Sequence, residues 1–117
     1  MIYQRDWLMR QIENMIAAIM HFLTHTSTEK SEIQLSQSLS EEIDCFLERG
    51  DICGAENWIY ENLDDQDIQW LQLSVYFYKK LNSYSDEYLK NHNFSRDEII
   101  SGLTDVTERF GFGYILK

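Results

Sequence analysis

Not one of the 117 residues is proline, and the five glycines fall at only a few points, Gly50, Gly54, Gly102, Gly111 and Gly113. Proline breaks a helix by removing an amide donor and crowding the preceding turn, and glycine weakens it by its conformational freedom, so few interruptions are written into this chain. No stretch alternates apolar and polar residues with the period of a strand, whereas apolar residues recur at three- and four-residue intervals. An all-α fold is expected, with five or six helices forming a tetratricopeptide-like array or an irregular helical bundle.

The length suits one helical domain over residues 1–117, and a chain of this size can bury about two thirds of its unfolded surface. Hydrophobic residues make up 44%, with six Phe, seven Tyr and three Trp, too many core-forming side chains for a disordered segment. The apolar spacing predicts a first helix from about Asp6 to about Leu23. Its stripe is formed by Leu8, Ile12, Met15, Ile16, Ile19, Phe22 and Leu23, widened by Trp7 and Ala18 on one side and by Met9 and Met20 on the other. That arc is broader than one neighbouring helix covers. The polar stretch Thr24–Ser31 follows, and Thr26-Ser-Thr-Glu29 has the form of a capping box that opens a helix. A second helix carries Ile33, Leu35, Leu39, Ile43, Phe46 and Leu47 and stops at Arg49-Gly50, where glycine accepts a left-handed conformation. Asp51 caps the third helix, which runs to about Leu63. After Asp64-Asp-Gln-Asp67 a fourth helix extends to about Leu81, central to the packing, with Gln69, Gln72, Lys79 and Lys80 gathered on its polar side. Ser85 caps a short helix over 86–91 that stops near Asn93. Ser95-Arg-Asp-Glu98 opens the last helix, which Gly111 ends.

The formal net charge of −10 excludes a sequence-independent grip on nucleic acid or anionic lipid. All of the excess lies in residues 29–67, where twelve acidic side chains stand against Lys30 and Arg49. This implies an acidic surface band that keeps the protein in solution or docks a basic partner. Cys45 and Cys53 form neither a Cys-x-x-Cys pair nor a disulfide framework, so reduced thiols, buried as small hydrophobes beside the Gly50 turn, are expected. The N-terminal residues do not read as a secretory signal. Apolar runs are far shorter than the roughly 20 residues that cross a bilayer. A cytoplasmic protein is the expectation.

Catalytic signatures are missing from the sequence. His21 and His25 stand four apart on the first helix and could chelate a metal, but they lack the glutamate of the His-Glu-x-x-His motif, and Glu13 projects elsewhere. His92 is the remaining imidazole. A metal or redox sensor, or an enzyme, built from His21, His25, Cys45 and Cys53 is the alternative to the main reading. Asp64-Asp-Gln-Asp67 lacks the alternating ligands and glycine of a calcium loop and is explained as a helix start. Tyr76, Phe77, Tyr78 and Tyr84 could stack bases, but only Lys79 and Lys80 accompany them. No cofactor is implied.

The sequence Leu-Glu-Arg-Gly-Asp-Ile-Cys-Gly-Ala-Glu-Asn-Trp from Leu47 resembles the turn and second helix of a tetratricopeptide-type unit, where Gly50 and Ala55 allow close packing. More of the chain resembles a family of short helical proteins of Gram-positive bacteria, a domain of unknown function. The matching stretches are Asp6-Trp-Leu-Met-Arg-Gln-Ile-Glu13, Gly50-Asp-Ile-Cys-Gly-Ala-Glu-Asn57, His92-Asn-Phe-Ser-Arg-Asp-Glu-Ile99 and Arg109-Phe-Gly111. The resemblance implies an all-helical fold and no catalytic residue. The expected role is therefore protein–protein interaction, with homodimerisation through Trp7, Met9, Met20, Phe112, Tyr114, Ile115 and Leu116. These residues combine a wide apolar helix with an apolar terminus that must pack within the chain or across a dimer.

Overall fold

The computed structural model describes residues 2–26 and 37–116, with side chains described from Asp6 to Thr24 and from Gln37 to Leu116. Among the described residues six α-helices follow in order: α1 (Ile2–Thr26), α2 (Gln37–Glu48), α3 (Ile52–Asn62), α4 (Ile68–Asn82), α5 (Asp86–Asn91) and α6 (Arg96–Arg109). A single 3-10 turn, Gly113–Leu116, closes the chain. Among the described residues there is no strand. The fold is an all-α helical bundle.

Helix starts sit where short polar side chains can accept from free amides. Asp51 accepts from the Gly54 amide at 3.0 Å, Asp67 from Gln69 at 3.1 Å, Ser85 from Tyr88 at 3.0 Å and Ser95 from Glu98 at 3.3 Å. Helix ends are equally local. Gly50 (φ 74°) ends α2 with two backbone bonds, Gly50 N–H to Leu47 O at 3.0 Å and Asp51 N–H to Phe46 O at 2.9 Å. Asn93 (φ 59°) and Gly111 (φ 83°) repeat this paired arrangement after α5 and α6.

The first helix is longer than the apolar stripe predicts, beginning at Ile2 and ending at Thr26. Nothing in its flanks breaks a helix, and Thr24 Oγ1 donates to Met20 O at 2.8 Å, which satisfies a polar side chain inside the last turns. Thr26 thus closes α1, and the rest of the capping box expected at 26–29 lies outside the described residues, as do Ile33 and Leu35.

Ile12, Ile16, Ile19 and Leu23 of α1 meet Leu71, Leu73, Phe77 and Leu81 of α4 and Ile99, Leu103 and Val106 of α6 in one continuous core. Each such side chain, fully buried, contributes about 1.5–3 kcal/mol of transfer free energy. Helix α4 is buried nearly all round, which is the property of a central helix. It packs against α1, α2 and α6, while α2 and α3 pack on each other across the Gly50 turn. The expectation for Gln72 is overturned: it does not join an exposed polar side but is buried, and neither of its amide atoms has a hydrogen-bond partner. A heptad-like view of α4 places it beside Lys79 and Tyr76, but neighbouring elements cover that sector.

Arg96, only 5% exposed, locks the α4–α6 connection. Its guanidinium donates to Tyr84 O at 2.6 Å, to Asn82 O and Asn82 Oδ1 at 3.3 Å, and to the Asp86 carboxylate. The carbonyls left free at the end of α4 are met by a fixed positive charge, the sign that this end of a helix favours.

Candidate functional site

The residues expected at an interface do not form one patch. Trp7 (60% exposed), Met20 (39%) and Tyr114 (64%) are large exposed hydrophobics, whereas Met9, Phe112, Ile115 and Leu116 are half-buried. The terminal turn lies on α1 and α6 of its own chain. Phe112 stacks on Phe22 with ring centroids 4.7 Å apart, and Tyr114 meets the same ring edge-on at 6.0 Å. Helical geometry places Trp7 and Phe22 about 60° apart around α1, so Trp7 and the Tyr114 end share a side, about 20 Å apart along the axis. Met9 and Met20 occupy the other flank, about 160° and about 140° round from Trp7.

His21 is exposed on α1, and the side chain of His25 lies outside the described residues. Cys45 and Cys53 are both exposed free thiols, which overturns the expected buried pair. The reason is phase: Cys45 stands about opposite the Ile43–Leu47 stripe of α2, and Cys53 about 130° from the inward stripe of α3. Among the described residues, no three His, Cys, Asp or Glu side chains are grouped so that they could hold a metal ion. No described helix is long and apolar enough to cross a membrane.

Two polar clusters form instead, neither legible from sequence spacing. In the first, Tyr76 donates to Asp44 Oδ1 at 2.8 Å and Lys80 Nζ pairs with the same oxygen at 3.0 Å while lying 5.2 Å from the Tyr76 ring centre. Burial alone would raise the Asp44 carboxyl, but the hydrogen bonds from Tyr76 and Lys80 outweigh it and hold it below its ordinary value. This cluster ties α2 to α4 and occupies the lysine that base stacking would need.

The second is a cleft of about 270 Å³ between α3 and α6, lined by Glu56, Tyr60, Glu98, Ser101, Gly102 and Asp105. Tyr78 rises from α4 into its floor and donates to Glu56 Oε2 at 2.6 Å. A Cβ on Gly102 would overlap the Tyr78 phenol, so glycine is what lets this ring cross α6. Burial, reinforced by the Glu56 carboxylate, pushes the Tyr78 hydroxyl far above its ordinary value. Burial likewise pushes Tyr60 up to about 12, and Asp105 adds to that effect. Glu56 is raised by burial and by the nearby Glu98, against the lowering effect of Tyr78. At the rim, Arg109 pairs with Asp105 at 2.9 Å and lies 5.0 Å from the Tyr60 ring centre. Glu56 and Tyr78 are 22 positions apart, so only the i,i+4 spacing of Glu56 and Tyr60 was visible as a local hint.

A family model, described as a family of unknown function (DUF6483), matches residues 2–111. The chain belongs to this family. No curated protein and no solved structure matches it. In this member of DUF6483 the matched span takes in the whole α3–α6 cleft and stops just short of Phe112, so the terminal turn on α1 lies beyond it.

Proposed function

We propose that this protein is a helical interaction module that pairs with a second copy through the outer side of α1 and the terminal turn. The observation that carries the reading is the location of Trp7 and Tyr114, the most exposed of the large hydrophobics among the described residues, on α1 and the turn beside it. Exposed apolar surface of this kind marks contact sites. The Trp7 and Tyr114 side is the more exposed, and a two-fold axis through the middle of α1 brings the Trp7 end of one chain to the Tyr114 end of its partner. Such self-complementary contacts generate the commonest oligomers. The hairpin of α2 and α3, with the helix–turn–helix form of one tetratricopeptide-type unit, supports the interaction class, and the acidic band over 29–67 stays outside the pairing face because like charges oppose association.

Sedimentation velocity at micromolar concentration tests the reading. A dimer that Trp7→Glu with Tyr114→Glu converts to monomer, and that Met20→Glu leaves intact, supports it. A monomer at every concentration ends it, and a dimer broken only by Met9→Glu with Met20→Glu moves the contact to the opposite flank.

A further inference from the structure

The α3–α6 cleft has a property that self-association does not use. Helix α3 is anchored in the core by Ile52, Ala55 and Ile59, and beside that stripe Trp58 meets Trp70 at 5.6 Å between ring centroids while Glu56 accepts from the Tyr78 hydroxyl. Beyond the contact of the Tyr60 ring with Arg109, Glu56 and Tyr60 of α3 and Glu98, Ser101, Gly102 and Asp105 of α6 line a cleft of about 270 Å³ with no basic residue in its lining. We propose that this cleft is a proton-operated latch: a proton taken up between Glu56 and Glu98 tightens the contact of α3 with α6, and its release loosens it.

The groups facing Glu56 are few. Tyr60 shares its helix, the Tyr78 hydroxyl comes from α4, and Glu98 and Asp105 come from α6. Arg109, at the rim, is engaged by Asp105 and by the Tyr60 ring. Glu56 and Glu98, whose Oε2 accepts from Ser95 Oγ at 3.4 Å, therefore line the same cleft with no cation in its lining, and like charges in a partly desolvated site repel. Tyr78 occupies Oε2 of Glu56. A proton from water forms an O–H bond at Oε1, which turns an acceptor into a donor towards the Glu98 carboxylate and replaces repulsion by a hydrogen bond. The raised Glu56 value fits this arrangement, because the environment already favours the protonated form.

Amide hydrogen exchange over residues 52–62 of the full-length protein, corrected for intrinsic exchange rates and recorded from about pH 8 to about pH 5, tests the latch, with Trp58 and Trp70 fluorescence as a second readout. Protection of α3 is expected to rise several-fold as pH falls, because the protonated form of Glu56 is the one the fold favours. Glu56→Gln, which cannot ionise, is expected to hold α3 at its low-pH protection throughout. Glu98→Gln, which removes the repelling charge, is expected to move the transition to lower pH. A wild-type protein with no transition in α3, or a Glu56→Gln variant that keeps it, overturns the latch. Should Glu56→Gln not fold, an unmoved midpoint in Glu98→Gln overturns it by itself.

Discussion

Replacing Gly50 by alanine tests the local geometry that joins α2 to α3. Gly50 has φ 74°, where an L side chain costs about 1–2 kcal/mol. A Cβ there also stands 3.0 Å from His92 Nε2. The ring is not free to move aside, because Nδ1 lies 2.7 Å from Tyr88 O and the imidazole stacks on Tyr88 with centroids 4.0 Å apart. Forcing it off its rotamer adds about 0.5–1.5 kcal/mol. Against these costs, alanine restricts the unfolded chain and returns about 0.4–1 kcal/mol. The net expectation is a loss of about 1.5–2 kcal/mol, a fall in Tm of about 6–8 °C for a domain of this size. Circular dichroism melts measure it. Gly50→Asn, which tolerates the left-handed conformation, is expected to lose less, and Gly50→Ala in a His92→Ala background is expected to lose only the backbone part. A Tm unchanged by Gly50→Ala would refute the left-handed turn as a stability determinant, and an identical loss in both backgrounds would refute the His92 contact.

Gly102→Ala gains about 1 kcal/mol if helix propensity decides, but the overlap with Tyr78 predicts a net loss of about 2 kcal/mol in urea unfolding, and Tyr78→Phe does not rescue it because the ring carbon is as close as the hydroxyl. Arg96→Met keeps the length of the side chain and leaves the Asn82 and Tyr84 carbonyls unmet, so a loss of about 3 kcal/mol is expected by the same assay. Gln72→Met removes two buried unsatisfied amide atoms without changing the side-chain length and is expected to raise stability by about 1 kcal/mol; a lower Tm would show that the amide is satisfied in solution. The Glu56 carboxyl is raised in the fold above its ordinary value of 4.5, so the unfolded chain ionises first. Its contribution is therefore greatest at low pH and is lost as pH rises through the folded value, a slope in Tm that Glu56→Gln abolishes.

The starts of α3 to α6 and the ends of α2 and α6 were written in the sequence because the groups that set them act over two to five residues, whereas α1 runs past both ends of its apolar stripe. Asp51, Asp67, Ser85 and Ser95 each bond an amide two or three positions on, and Gly50 and Gly111 close bonds no more than five apart. The inward stripe of α1 followed from apolar residues at a fixed period, and the apolar terminus called for packing without fixing whether within the chain or across a dimer. What only the tertiary structure decided is which sides of those helices other elements cover. Cys45 and Cys53 are apolar enough for a core but project outward; Gln72 is polar but lies beneath neighbours; Arg96 spans from α6 back to carbonyls twelve and fourteen residues earlier. The α3–α6 cleft required Tyr78, Glu56 and Gly102 to meet from three helices, and no periodicity within one helix encodes a meeting of three. Local hydrogen bonds are fixed by neighbours in the chain, whereas burial and the pairing of charges depend on how the helices pack, and that is a property of the whole bundle.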